Sequence, residues 1–209
     1  MLLIGQYDSS FVRRVGIALK LYGIPFEHRP WSTFGDADKI RQYNPLTRVP
    51  TLVLDDGEAL MGTLAILDHV DSLVPAEKRL LPVAEPARRR AFRIIELAGG
   101  LADKTVALFY EKNFHENPSP RFVARCEAQI ADTLNALEAA FADLPTPFWN
   151  GEAPGHADIA VAVSIRHASD SHPALVDQSA RPALRTLCDT LEATTLFQDI
   201  SQPFLPPSR

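Results

Sequence analysis

A mixed α/β half followed by an all-helical half is the fold class this sequence predicts. Three observations predict it. The first 75 residues alternate between short apolar runs and helical patterns. The stretch PAEKRLLPVAEP, with three prolines in residues 75–86, breaks that alternation. Beyond it every periodic segment recurs at helical spacing.

Each element has its own signal. Residues 2–7 (LLIGQY) alternate weakly and read as a strand. Phe11, Val15, Ala18 or Leu19, and Tyr22 share one helical face, and Gly23 with Pro25 stops that helix. Residues 26–31 read as a short strand that Pro30 confines to an edge or an end. Asp36 is placed to cap a short helix reaching Tyr43, which Asn44-Pro45 terminates. PTLVL at 50–54 is a strand, Asp55-Asp56-Gly57 a hairpin turn, and Glu58 to Leu60 the return strand. Thr63 is placed to cap the next helix, with Leu64, Leu67, Val70 and Val74 on one face.

The order is thus βαβαββα. A strand–helix–strand start implies a parallel pair with a right-handed crossover, and the closing hairpin adds antiparallel strands. The boundaries expected are 1–75 for this domain, 76–86 for a linker and 87–209 for a helical domain. In the latter, Ala87, Ala91, Ile94, Ala98, Leu101, Thr105 and Leu108 mark one long face, and Phe122, Cys126, Ile130, Leu134, Leu137 and Phe141 a second. After the loop LPTPFWNGEAPG, residues 157–166 are apolar almost all round, which suits the central helix of a bundle. Pro182 fits the first turn of a last helix through Leu191. Gly99-Gly100 inside the first long helix suggests close approach of another backbone, or a kink.

Composition narrows the function classes. Hydrophobic residues make up 46% and charged residues 22%, with a net charge of −5. That balance gives no electrostatic reason to expect nucleic acid, and Arg88-Arg89-Arg90 reads as a solvated helix face. No apolar stretch reaches the roughly 18 residues of a spanning helix, and the N-terminus does not read as a signal peptide. Cys126 and Cys188 fall at apolar helical positions and read as buried free thiols, which suits a reducing compartment. A cytoplasmic protein without a membrane or nucleic-acid partner is the expectation. The histidines show no metal-like spacing.

The chemistry is concentrated at a few junctions. Ser9-Ser10 sits where the first strand meets the first helix, a place for an N-cap. A helix N-terminus also offers free N–H groups and a positive dipole end, both of which favour an anion. Thr63 has the same setting at a later helix. Val49-Pro50 precedes the third strand, where proline can simply start an edge strand. No Gly-x-Ser-x-Gly elbow surrounds Ser9, which argues against serine hydrolysis. The absence of Cys-x-x-Cys argues against reductase chemistry through a protein thiol. Asp158 stands three residues after Gly155, the acid position of a capping box, and reads as structural.

SSFVRRVGIAL at 9–19, NPLTRVPTL at 44–52, TLAIL at 63–67 and GHADIAVA at 155–162 together resemble the glutathione S-transferase superfamily over essentially the whole chain. The spacing from Ser9 to Arg14-Val15 resembles its bacterial beta-, zeta- and omega-like branches, of the serine type. The resemblance implies a thioredoxin-like N-terminal domain, a helical domain forming the electrophile side, and reduced glutathione as co-substrate without a metal. It implies that Ser9 donates a hydrogen bond to the glutathione thiolate. Ser10 stands where bacterial relatives often carry proline, and is either the true cap or a partner in glutathione binding.

The resemblance also implies a cis bond at Val49-Pro50, with Val49 pairing to glutathione's cysteine like an added strand. It places Arg48 near a glutathione carboxylate and Thr63 at the γ-glutamyl carboxylate. Gly62 departs from the pattern, since relatives usually carry an acid or glutamine there, followed by serine. One charge-assisted hydrogen bond, ~1.5–3 kcal/mol, is missing as a result. Phe109, Tyr110 and His115, on the first long helix, are candidates for the electrophile pocket. The activity implied is addition or exchange of glutathione thiolate with a small electrophile, in a homodimer and in the sense of detoxification. Two alternatives stand beside it: a glutathione-dependent isomerase, and a non-catalytic protein-binding module like the stringent starvation regulators.

Overall fold

The computed structural model describes residues 1–177 and 179–206. Two compact units make up the chain: Met1–Leu80 with Thr195–Leu205, and a second built on Leu81–Thr194.

The first unit contains a four-stranded mixed sheet of order β2-β1-β3-β4. β1 (Leu2–Ile4) runs parallel to β2 (Glu27–Arg29) and antiparallel to β3 (Thr51–Val53), which pairs antiparallel with β4 (Ala59–Met61). The order βαβαββα is as the sequence predicts. β1 stops sooner than LLIGQY suggests. Gly5 has φ 130°, a conformation open to glycine, and turns the chain out of the strand.

α1 (Ser10–Leu21) and α3 (Thr63–Ser72) pack on each other and on the sheet. Leu3 and Leu52 lie opposite each other in β1 and β3, and with Val12, Val15, Ala18, Leu19, Ile66, Leu67 and Val70 they form the core of this unit. Burying each such side chain stabilises the fold by about 1.5–3 kcal/mol. Between β2 and β3, α2 (Ala37–Arg41) contributes Ile40 to the interior. Asp36 precedes α2 but makes no side-chain cap; its carboxylate accepts from the Ser32 N–H and Lys39 instead. In α3, Ile66 takes the core position expected for Leu64, which is exposed.

The second unit holds α4 (Ala87–Phe114), α5 (Pro120–Ala142), α6 (His156–Ser171) and α7 (Pro182–Glu192). The expected faces are present: Ala91, Ile94, Ala98, Leu101, Thr105 and Leu108 of α4 are buried, as are Cys126, Ile130, Leu134 and Leu137 of α5. Phe122 is exposed, at the first turn of α5. α6 is buried almost all round and packs on α4 and α7, as its apolar sequence requires. Gly99 and Gly100 face open space, so no close backbone approach accounts for them, and nothing in the structure explains the pair.

One element was not anticipated. After α7 the chain forms α8 (Thr195–Asp199) and rejoins the first unit, rather than ending within the helical domain expected over 87–209. This segment covers part of α1, where Arg13, 3% exposed, donates to the Phe197 and Ile200 carbonyls.

Candidate functional site

The sheet register gathers three connections at one end of the first unit. Ile4, the last residue of β1, pairs with Thr51, the first of β3, and Thr51 pairs with Met61, the last of β4. The segments Gly5–Ser9, Arg48–Pro50 and Gly62–Thr63 therefore leave or enter the sheet side by side. Two of them run straight into helix N-termini, where unpaired N–H groups point outward.

The first connection delivers Ser9. The Ser9 N–H donates to the Gln6 carbonyl at 3.2 Å, closing a turn with Tyr7 and Asp8 at its centre. Ser9 has extended backbone angles and is the N-cap of α1; its Oγ accepts from the Val12 N–H at 3.5 Å, a long contact. Its own hydroxyl proton donates to nothing among the described residues. Ser10 is the first helical residue, is 2% exposed, and its Oγ has no hydrogen-bond partner among the described residues. The suggestion that Ser10 is the true cap is corrected here: the chain enters the helix one residue earlier. Burial pushes the Tyr7 phenol up to about 12, so Tyr7 stays neutral beside the turn.

The second connection presents Val49. The Val49–Pro50 bond is cis, and Pro50 is buried. Among the described residues neither the N–H nor the C=O of Val49 has a hydrogen-bond partner. Asn44, 1% exposed, organises the loop that leads there. Its Nδ2 donates to the Arg48 carbonyl at 2.9 Å and to Thr51 Oγ1 at 3.0 Å, and its Oδ1 accepts from the Leu46 N–H at 2.9 Å. The Thr51 hydroxyl also donates to the Arg48 carbonyl at 3.0 Å. The Arg48 side chain is exposed.

The third connection differs in detail from expectation. Gly62, not Thr63, occupies the N-cap position of α3, with φ 86°. A Cβ on Gly62 would meet nothing within 4 Å. The first helical bond runs from the Ile66 N–H to the Gly62 carbonyl, which leaves the N–H groups of Thr63, Leu64 and Ala65 without helical acceptors. Thr63 is 9% exposed, and its hydroxyl has no partner among the described residues.

In the second unit, Phe109 is half-buried and packs edge-on against His172 and Tyr110, and Tyr110 in turn against Phe114. Tyr110 and Phe114 are exposed. His115 is exposed at the end of α4, with Nδ1 3.4 Å from Glu111. Glu111 also accepts from the Ser119 N–H at 2.6 Å, so His115 belongs to the α4–α5 turn. Burial lowers the His172 pKa, and its Nε2 lies 3.0 Å from the Thr105 carbonyl. Asp158 is fully buried and accepts from the N–H groups of Gly155 and Trp149, both at 2.9 Å. It ties the loop before α6 to that helix. Cys126 and Cys188 are buried free thiols.

Reading the sequence alone missed Gly5, Asn44 and Gln202. The signal for Gly5 was present, since a glycine inside a strand pattern often marks a close backbone approach. Asn44 enters the sequence pattern as a helix terminator and as the start of NPLTRVPTL, with nothing to signal its side-chain bonds. Gln202 gave no signal, because its partner Tyr7 lies 195 positions away.

Comparisons with known proteins agree with this geometry. The family model described as "Glutathione S-transferase, N-terminal domain" matches residues 3–78, and "Glutathione S-transferase, C-terminal domain" matches residues 120–190. The uncharacterized GST-like protein YibF of Escherichia coli K12 is 33% identical over 103 residues, which span 49% of this chain and 50% of that protein. The maleylacetoacetate isomerase of Pseudomonas aeruginosa is 27% identical over 220 residues, 99% of each chain. A glutathione S-transferase from Methylobacterium radiotolerans, solved in complex with glutathione sulfonate, superposes with a TM-score of 0.92 at 27% identity, over 100% of this chain and 97% of that one.

Proposed function

Because this chain belongs to the glutathione S-transferase superfamily, we propose that it binds reduced glutathione at this end of the sheet and directs the thiolate at a small electrophile. The observation that carries the reading is the register Ile4–Thr51–Met61, which sets two helix N-termini on either side of the open Val49 backbone.

The chemistry follows from the parts. A glutathione thiol has an unperturbed pKa near 8.5, so only a few per cent is thiolate at neutral pH. The N-terminus of α1 and the uncommitted proton of Ser9 both stabilise the anion. Each unit of pKa lowering corresponds to about 1.4 kcal/mol. The role falls to Ser9 because the Ser10 hydroxyl is shielded from solvent. Val49 has a free donor and a free acceptor for the peptide backbone of glutathione. Thr63 and the first N–H groups of α3 receive the γ-glutamyl carboxylate. Gly62 contributes no side chain to that task, and Arg48 is free to reach a carboxylate. On the second unit, the half-buried Phe109 and exposed Tyr110 of α4, with His115 beyond them, are the residues this reading assigns to the electrophile.

The reading extends to a homodimer in the cytoplasm, with a detoxifying role. Two buried free thiols are consistent with a reducing compartment. Among the described residues no helix is long and apolar enough to cross a membrane. Glutathione-dependent isomerisation is a second reading, favoured by the full-length similarity to a maleylacetoacetate isomerase. A thiolate that adds and then leaves needs the same site.

Calorimetric titration of reduced glutathione, beside ultraviolet measurement of bound thiolate, tests the proposal. Micromolar to low-millimolar binding is expected, with Ser9→Ala still binding but losing most of the thiolate at neutral pH. Absence of binding at tens of millimolar glutathione would overturn it, and pull-downs would then test the protein-binding alternative.

A further inference from the structure

The turn that delivers Ser9 is gripped by the far end of the chain. Tyr7 and Asp8 are its central residues, and both are held. The Tyr7 N–H donates to Gln202 Oε1 at 2.9 Å, and the Leu205 N–H donates to Asp8 Oδ2 at 3.1 Å. The segment carrying Gln202 and Leu205 is itself fixed to α1. Arg13 Nε donates to the Ile200 carbonyl at 2.7 Å and Nη2 to the Phe197 carbonyl at 2.8 Å. The same guanidinium lies 5.3 Å from the centre of the Phe197 ring. A buried arginine engaged by carbonyls in this way is an anchor for backbone.

The other flank of the turn is equally fixed. The Tyr7 ring stacks on His28 with centroids 3.9 Å apart, and His28 Nε2 donates to the Gly5 carbonyl at 2.8 Å. Tyr7 and Ile200 both close on Gly16, where a Cβ would stand 2.9 Å from each. Among the described residues, Ser9 has only the 3.5 Å contact to Val12 to hold its side chain. The aim of its hydroxyl is therefore set by the backbone that carries it, and hydrogen bonds weaken steeply when misdirected.

We infer that Gln202 is a positioning residue for Ser9: by accepting from the Tyr7 N–H, on a segment that Arg13 anchors, it fixes the Gln6–Ser9 turn and directs the Ser9 hydroxyl at the thiolate. The inference rests on the reading of Ser9 as the thiolate's partner. The Gln202 amide oxygen is committed to the Tyr7 N–H, so its effect falls on the thiolate rather than on glutathione affinity.

The test compares Gln202→Leu, Gln202→Glu and Ser9→Ala with the unaltered protein, by titrating bound glutathione thiolate against pH and measuring its Kd. Gln202→Leu removes the acceptor and is expected to raise the bound thiol's pKa by about one unit. Its glutathione Kd should stay within roughly twofold of the original, since the side chain is not a ligand. Gln202→Glu keeps an acceptor at the same length, and despite the added negative charge should titrate closer to the original than Gln202→Leu does. Should Gln202→Leu fail to fold, Gln202→Met, which keeps the length of the side chain but lacks the amide oxygen that accepts from Tyr7, takes its place. An upward shift in that variant supports the inference, and an unshifted titration overturns it. If Gln202→Leu titrates like the original while Ser9→Ala is shifted, the inference fails and the role of Ser9 stands. If Ser9→Ala is itself unshifted, the role of Ser9 fails and the inference falls with it.

Discussion

A Cβ on Gly5 would stand 2.8 Å from the Cβ of Val49 and 2.5 Å from Cγ2 of Val12. The glycine is what lets the Val49 loop and the first turn of α1 meet at the end of β1. Its φ of 130° adds backbone strain to the steric conflict for any other residue. Gly5→Ala is therefore expected to lower stability by about 3 kcal/mol, from overpacking and strain together. Urea denaturation measures this, and a loss under about 1 kcal/mol would mean that Val49 can step aside.

Asn44 makes a second, independent prediction. It sits 1% exposed with three hydrogen bonds that shape residues 44–51. Asn44→Ala leaves the Leu46 N–H without its acceptor and the Arg48 carbonyl with the Thr51 hydroxyl alone, at a cost of about 1–3 kcal/mol. The variant should also weaken glutathione binding beyond what partial unfolding explains, because the Val49 backbone loses its support. Calorimetry under conditions where the variant is fully folded separates the two effects. Unchanged affinity would detach Asn44 from the site.

These residues show which parts of the molecule were legible in the sequence. Helical faces such as Ala91-Ile94-Ala98-Leu101 in α4 were plain, because apolar spacing alone determines them. The central position of α6 was equally plain from an apolar run without a polar face. α1 was read with Phe11 on its inner face, yet Phe11 is only half-buried while Val12 is fully buried. Val12 packs with Leu3 and Leu52 in the core against the sheet, while α8 and the tail engage Arg13 on the neighbouring position. Periodicity cannot reveal a charge that is buried by a segment nearly 190 residues away. At the candidate site, Ser9, Val49 and Thr63 were found through motifs, whereas Asn44 and Gln202 act by hydrogen bonds that leave no pattern. The cap of α3 was read one residue late because Gly62 serves it through backbone conformation, not a side chain.

Gly62 can be tested by restoring what it lacks. Its φ of 86° disfavours any other residue, but the space around a Cβ is open. Gly62→Gln should cost about 1–2 kcal/mol of stability through the backbone alone. If an amide at this position reaches the γ-glutamyl end, glutathione affinity should rise about tenfold. Calorimetry of the variant decides it. Lower stability with unchanged Kd would mean that Thr63 and the α3 N-terminus already meet the needs of that end of the ligand.

Asp158 supplies the pH dependence. Burial raises its carboxyl above the ordinary value of 3.8, against the lowering effect of the Gly155 and Trp149 N–H donors. The folded protein thus holds this proton more tightly than the unfolded chain. The associated stability is fully present below about 3.8 and is lost as pH rises through the folded value. Asp158→Asn keeps one acceptor and does not titrate. It should be less stable than the original protein at low pH, because the amide NH2 cannot accept from the second N–H donor, whereas the hydroxyl oxygen of the protonated carboxyl still can. The advantage of the original protein over this variant should then shrink as pH rises above about 3.8, and level off once Asp158 is ionised in both states. Denaturation of both proteins across that range gives the difference directly. A difference that grows with pH would mean that the backbone donors outweigh burial and that the Asp158 pKa is lowered instead.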